Sequence, residues 1–312
     1  MRKILIDCDP GHDDIIAIMV ALAHLDELSI IGFTTVAGNQ TVAKVTNNLL
    51  KVCDHLAIDY DVAIGADKPL NRYSEIQPQA HGESGLDGPI LADPIRTPIA
   101  YSAVEYLKEQ LLNSKEKITL VALGPLTNIA QLLISYPEVI KHIDVISIMG
   151  GSLYSGNILP KAEFNIYHDP EAAKIVFNSG VKIIMSGLEV CYSGGVDHNL
   201  LEVFKDKGKA SKLVYDLMGF YTRFSKERNI PYSPIFDMTP IIHLLRPEWF
   251  SSVSYHVDIE TEGQLCRGMT VADMREPIDP NKINTEILIS VDNKKFVNFF
   301  IESILSLDKT SH

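Results

Sequence analysis

Apolar and polar positions along this chain switch repeatedly between two periods. The run KILIDC, residues 3–8, reads as a short buried strand. DDIIAIMVALAHL, residues 13–25, then sets Ile15, Ile18, Met19 and Leu22 on one helix face. LSIIGFTTVAG (28–38) predicts a second strand, QTVAKVTNNLLKVCDHL (40–56) a helix, and DVAIG (61–65) a third strand. Residues 66–94 carry many Gly and Pro and no period, as expected of a functional loop or lid in a compact domain. Regularity returns with a helix at 100–114, a strand at 117–124, a helix at 125–136, a strand at 143–151, a helix at 169–180 and a strand at 181–187.

Strands alternating with helices over so long a stretch predict an α/β fold, with a mostly parallel central sheet covered by helices on both faces. The last part is less periodic. Helical stretches are expected around 203–227 and 237–246, edge strands at 253–260 and 286–292, and a closing helix at 293–305. No repeat or linker divides the chain, so residues 1–312 are expected to form one domain.

Composition narrows the function. The net charge of −12 argues against a nucleic-acid or anionic-membrane partner, since both call for basic patches. No apolar run approaches the roughly 20 residues that span a bilayer, and the first strand begins where a signal peptide would lie, so a cytoplasmic enzyme is expected. Cys8, Cys53, Cys191 and Cys266 are scattered without CxxC spacing and read as reduced thiols.

The chemistry concentrates at the end of the first strand, where Asp7, Asp9, Asp13 and Asp14 fall within eight residues. Asp9 is placed to cap the following helix with Pro10 in its first turn, and the helix dipole favours acids in that turn. Capping explains one or two acids, not four, because crowded carboxylates repel. A bound cation resolves the conflict, and oxygen-only ligands select Ca²⁺ or Mg²⁺. Other strand ends add Asn39, the carbonyl near Leu123, Asn128 and Met149 to the same rim. Asn157, Glu163 and Asn165 follow in an irregular segment. Singly, each could be a cap or a solvated loop residue; together they suggest a pocket that binds hydroxyls, suited to a sugar.

DCDPGHDD (7–14), HGESGLDG (81–88), GPLTNIA (124–130), MGG (149–151), and GN (156–157) followed by EFN (163–165) and DPEAA (169–173) resemble, in order and spacing, the inosine–uridine-preferring nucleoside hydrolases. The resemblance covers essentially the whole chain, and PIFDMTPIIHLL (234–245) matches the family's late aspartate at Asp237. It implies a Ca²⁺ held by Asp9, Asp14, Asp237 and the main-chain carbonyl of Leu123, with Asp9 as the general base that takes a proton from water. Asp7 and Asp13 match residues that support the metal ligands or bind the sugar. Asn39, Met149, Asn157, Glu163 and Asn165 match ribose contacts, and His81 a histidine near the active site. Tyr221, Arg223, Arg228 and Tyr232 lie in the segment that faces the base. The implied substrate is a small ribonucleoside and the implied assembly a homodimer or homotetramer.

One position departs from the pattern. Many family members carry His before the late Asp, whereas this chain has Phe236, which cannot move a proton. His243, seven residues on, lies about 10 Å along a helix and is no obvious substitute. Base protonation is therefore open, with a lean toward pyrimidine ribonucleosides. Two other readings compete. A haloacid-dehalogenase-type phosphatase would use Asp7 as nucleophile with Mg²⁺, and a ribose- or nucleoside-binding protein would keep the metal site without turnover.

Overall fold

The computed structural model describes residues 1–310. The first half lays down six strands: β1 (Arg2–Cys8), β2 (Leu28–Thr35), β3 (Val62–Ile64), β4 (Ile118–Ala122), β5 (Ile143–Met149) and β6 (Ile183–Ser186). Each pairs with its neighbour in parallel. Between them run helices α1 (His12–Leu22), α2 (Val42–Leu56), α3 (Pro78–His81), α4 (Ala103–Asn113), α5 (Thr127–Ser135), α6 (Phe164–His168) and α7 (Pro170–Phe177). The remainder adds α8 (Leu188–Ser193), β7 (Val196–Asp197), α9 (Lys209–Tyr221), α10 (Arg223–Glu227), β8 (Tyr232–Ser233) and α11 (Met238–Leu245). Last come β9 (Phe250–Ile259), β10 (Thr270–Asp273), β11 (Thr285–Val291) and α12 (Asn293–Thr310).

The main sheet has nine strands in the order β10-β9-β11-β6-β5-β4-β1-β2-β3, and β7 and β8 form a separate two-stranded ribbon. Strand alternation sorts the core into two layers. Ile4, Ile6 and Cys8 of β1 pack with α1, α2, α9, α11 and α12 on one face. Leu5 of the same strand packs with α4, α5 and α7 on the other. Strands buried on both faces explain the near-continuous apolar runs in the sequence.

The C-terminal strands extend the sheet at the β6 side: β11 lies parallel to β6, β9 antiparallel to β11, and β10 antiparallel to β9 at the outside. Several short elements, α6, α8, β7, β8 and β10, were not expected from the pattern. The helix expected over 203–227 is broken at Thr222 between α9 and α10 and is preceded by a 3₁₀ turn at His198–Phe204. Among the described residues no helix is long and apolar enough to cross a membrane. Cys8, Cys53 and Cys191 are buried, Cys266 is part-exposed, and all four are free.

Candidate active site

The carboxyl end of β1 is held by its parallel neighbours. Asp7 accepts from Thr34 Oγ1 at 2.5 Å and Asn128 Nδ2 at 2.7 Å, and its carbonyl accepts from the Leu123 amide at 2.8 Å. Asp7 thus fixes β2, β4 and the start of α5 to β1 but does not line the cavity described below. A nucleophilic role for it, which the phosphatase reading requires, has no access to substrate.

The expected cap is corrected. Gly11, not Asp9, occupies the cap position of α1, and the Asp14 carboxylate turns back to accept from the amides of Asp9 at 3.1 Å and Gly11 at 2.9 Å. Asp9 instead points across to β2, where its Oδ2 accepts from the Asn39 amide at 2.7 Å. The Asn39 side chain donates to the Asp9 carbonyl at 3.1 Å and to Asp14 Oδ2 at 3.2 Å, so one residue ties both acids together. Gly38 and Gly124 flank the Asp9 carboxylate so closely that a Cβ at either position would overlap it.

The opposite side comes from later strands. Asn165 Nδ2 donates to the carbonyls of Leu123 at 2.8 Å and Met149 at 3.1 Å. Glu163 accepts from the amides of Gly151, Asn165 and Ile166 at 3.0, 2.9 and 3.2 Å. The turn that presents the Gly151 amide needs φ +80°, where glycine is at home. Asn157 Oδ1 accepts from the Phe164 amide at 2.9 Å. Asp237 is buried at the start of α11. The acids whose oxygens converge within 4.8 Å of one another are Asp13, Asp14 and Asp237; Asp13 stands in this group where the resemblance had put Asp9, whose carboxylate is turned to the Asn39 amide instead.

These groups surround a cavity of about 410 Å³. Asp9, Asp13, Asn39, Leu123 and Asp237 are among its lining residues. Met149, Asn157, Glu163 and Asn165 line it too, as does His81 from the irregular 66–94 segment. Asp14 is fully buried and is not among the lining residues. Of the residues expected to face a base, Tyr221, Arg228 and Phe236 line the cavity, whereas Arg223 and Tyr232 do not. Arg223 instead donates to the Gln79 carbonyl at 3.1 Å and lies 3.3 Å over the Phe220 ring. Tyr232 is displaced because strand alternation turns its neighbour Ser233 inward and leaves Tyr232 half exposed. His243 is buried edge-on against Phe250 and lies outside the lining.

The site has members that the sequence did not announce. His12 sits under His81 with their Nδ1 atoms 3.2 Å apart, meets the Asp87 carbonyl at 2.7 Å and stacks on Phe220. Burial drives both imidazoles down, His12 to about 3 and His81 to about 4, so both are neutral at pH 7. The only signal for His12 was its place inside the acidic motif. Tyr192, Ser225 and Ser233 also line the cavity, from elements with no distinguishing pattern.

Electrostatics bear on a cation. Burial raises Asp7 and Asp14 to about 7 and Asp13 to about 6, with the Asp13 charge adding to the rise at Asp14. Burial and the Asp14 charge push Asp9 well above the usual carboxylate range; burial and the Asp13 and Asp14 charges do the same to Asp237. Asp13 Oδ1 is buried with no hydrogen-bond partner among the described residues. Crowded, desolvated carboxylates with an orphaned oxygen and no thiol or imidazole among them are a donor set that fits a hard divalent ion.

Residues 4–298 match the family model described as inosine-uridine preferring nucleoside hydrolase. The chain belongs to this family. As a nucleoside hydrolase it is an enzyme acting on N-glycosyl bonds. It is similar to a pyrimidine-specific ribonucleoside hydrolase RihA from Salmonella newport (strain SL254), 43% identical over 305 residues, which cover 96% of this chain and 97% of that protein. Among solved structures it resembles the purine-preferring ribonucleoside hydrolase from Gardnerella vaginalis, with a TM-score of 0.93 and 28% identity over 99% of both chains. It also resembles the plant nucleoside hydrolase PpNRh1, with a TM-score of 0.89 and 30% identity over 97% of this chain and 99% of that one.

Proposed function

We propose that this nucleoside hydrolase cleaves pyrimidine ribonucleosides to ribose and free base, with Asp9 as general base and a Ca²⁺ held by Asp9, Asp14, Asp237 and the Leu123 carbonyl. The observation that carries the reading is the convergence of the buried acids Asp13, Asp14 and Asp237 at a cavity that Asp9, amide side chains and aromatic side chains also line. Ribose hydroxyls match the amide and carboxylate groups, and a planar base matches Tyr192, Tyr221 and Phe236. The 43% identity to a pyrimidine-specific relative supports the base preference, as does Phe236, which offers a departing purine no proton.

When bound, the ion would neutralise the acid cluster and lower the pKa of water within its reach. The chain's own groups do the rest. Asp9 lines the cavity while its Oδ2 is pinned by the Asn39 amide, so its other oxygen is free to take the proton of an attacking water. Asn165 and Asn157, which line the cavity, are assigned the orientation of the ribose hydroxyls. The buried Glu163, which also lines the cavity, is assigned the stabilisation of the carbon that develops positive charge as the glycosidic bond breaks. Metal analysis of protein purified without chelator, together with a reducing-sugar assay over uridine, cytidine, inosine and adenosine, tests the proposal. About one Ca²⁺ per chain and faster turnover of uridine and cytidine are expected. Zinc in the site, or purines turned over faster, refutes the corresponding part.

A further inference from the structure

The cavity that Phe236 leaves without a proton donor at its own position is lined by other hydroxyl groups. Ser225, on α10, and Ser233, on β8, both line the cavity, and Ser233 Oγ donates to Ser225 Oγ at 2.9 Å. Behind them, His198 Nε2 lies 3.0 Å from Ser233 Oγ. A serine hydroxyl has one hydrogen to give, so the donor order is fixed once Ser233 spends its own on Ser225. His198 must then donate through Nε2–H to Ser233. Among the described residues Ser225 Oγ makes no other hydrogen bond, so its own hydrogen is uncommitted on a residue that lines the cavity.

The ribbon explains why these groups meet. Val196 pairs with Ser233 and Asp197 with Tyr232, and the His198 amide donates to the Pro231 carbonyl at 3.0 Å, setting the imidazole beside the inward-facing strand residue. Asn293 holds the turn before the ribbon by donating to the carbonyls of Ser193 and Gly195 at 3.0 and 2.9 Å. Ser233 is buried, whereas His198 is only partly so and can exchange protons with water.

We infer that the His198–Ser233–Ser225 chain delivers the proton taken up by the departing base, in place of a side chain at position 236. The inference rests on the hydrolase reading above. The bond from C1′ to the base nitrogen breaks, and its electron pair leaves with the base. The Ser225 hydroxyl gives its proton to a basic nitrogen or oxygen of that base, Ser233 reloads Ser225, and His198 Nε2 reloads Ser233. His198 takes up a proton at Nδ1 from solvent, while the attacking water bonds to C1′ and loses its proton to Asp9. Ser225 is then a donor to the substrate, and Ser233 and His198 are positioning residues behind it.

The test compares uridine with nitrophenyl riboside, whose nitrophenolate leaves without a proton. In Ser225→Ala, kcat/KM for uridine is expected to fall at least tenfold, toward the ~10²–10⁴ attributed to general acids. Nitrophenyl riboside should stay within twofold of wild type, which also reports an intact fold. Ser225→Thr, which keeps the hydroxyl, should recover uridine turnover. His198→Gln retains an N–H toward Ser233 but cannot reload a proton, so it should be as slow on uridine as His198→Ala. Equal losses on both substrates, no loss on either, or full recovery in His198→Gln would overturn the proposal. A wild-type enzyme that releases neither uracil nor nitrophenolate would remove the hydrolase reading and this inference with it.

Discussion

The slot around Asp9 makes a quantitative prediction from a single methyl group. A Cβ on Gly124 would sit 2.5 Å from Asp9 Oδ1, 2.8 Å from its Cγ and 3.1 Å from Val36 Cγ1. Ordinary contact needs 3.4 Å or more, so Gly124→Ala displaces the carboxylate by about 0.9 Å if the backbone holds. The carboxylate has nowhere to retreat, since its other oxygen is bonded to the Asn39 amide at 2.7 Å and closed in by Gly38. The φ of Gly124 lies outside the left-handed region, so alanine meets no backbone penalty and the effect is one of contact alone. A misplacement of this size at a reacting group costs ~10²-fold in rate, or about 2.7 kcal/mol of transition-state stabilisation. Overpacking should cost ~1–3 kcal/mol of stability. Uridine hydrolysis by reducing-sugar assay and thermal melts read the two effects separately. Gly219→Ala is the control: it lies on α9 with nothing within 4 Å of its Cβ, and should leave rate unchanged and stability equal or slightly higher. Gly38→Ala crowds the carboxylate from the other side and should reproduce the loss. If Gly124→Ala kept more than a third of wild-type kcat/KM, the placement of Asp9 would not limit the reaction.

Asp9→Asn should fold and lose on the order of a thousandfold or more in kcat, because an amide accepts no proton from water; a variant with a tenth of wild-type activity would exclude Asp9 as the base. Phe236→His should raise inosine hydrolysis much more than nitrophenyl riboside hydrolysis, and equal effects would assign Phe236 to packing alone. His81 links stability to pH: burial, with Arg223 adding, lowers its pKa to about 4 in the fold, against about 6.5 unfolded. Its contribution is complete above pH 6.5 and is lost as the pH falls through 4, because the unfolded chain binds the proton first; the loss is about 3 kcal/mol. In urea melts at pH 7 and pH 4.5, His81→Gln should lose less stability on acidification than wild type, and identical losses would show that His81 is not the group responsible.

The parallel sheet was legible because strands buried on both faces leave unbroken apolar runs that contrast with helical spacing. The acidic cluster was legible because it is local. Which acid turns back to cap α1 was not, since Asp9 and Asp14 offer the same carboxylate and only the path of Gly11 decides between them. Asp237 reaches the cluster from far along the chain, and no spacing rule brings it there; it came through family resemblance. Ser225, Ser233 and His198 were silent because they come from a five-residue helix, a two-residue strand and a 3₁₀ turn, elements too short to carry a period. The inward turn of Ser233 and outward turn of Tyr232 depend on a register that two residues cannot specify.

The position of β11 bears on how the chain comes to be folded during synthesis. This strand, among the last to be made, lies between β6 and β9 rather than at a margin. Until it emerges from the ribosome, β9 and β10 have no partner joining them to the sheet, and β6 exposes an unpaired apolar edge of the kind that invites aggregation. A message truncated before codon 285 would therefore yield a chain that carries every proposed catalytic residue yet lacks the strand that joins β9 and β10 to the rest of the sheet.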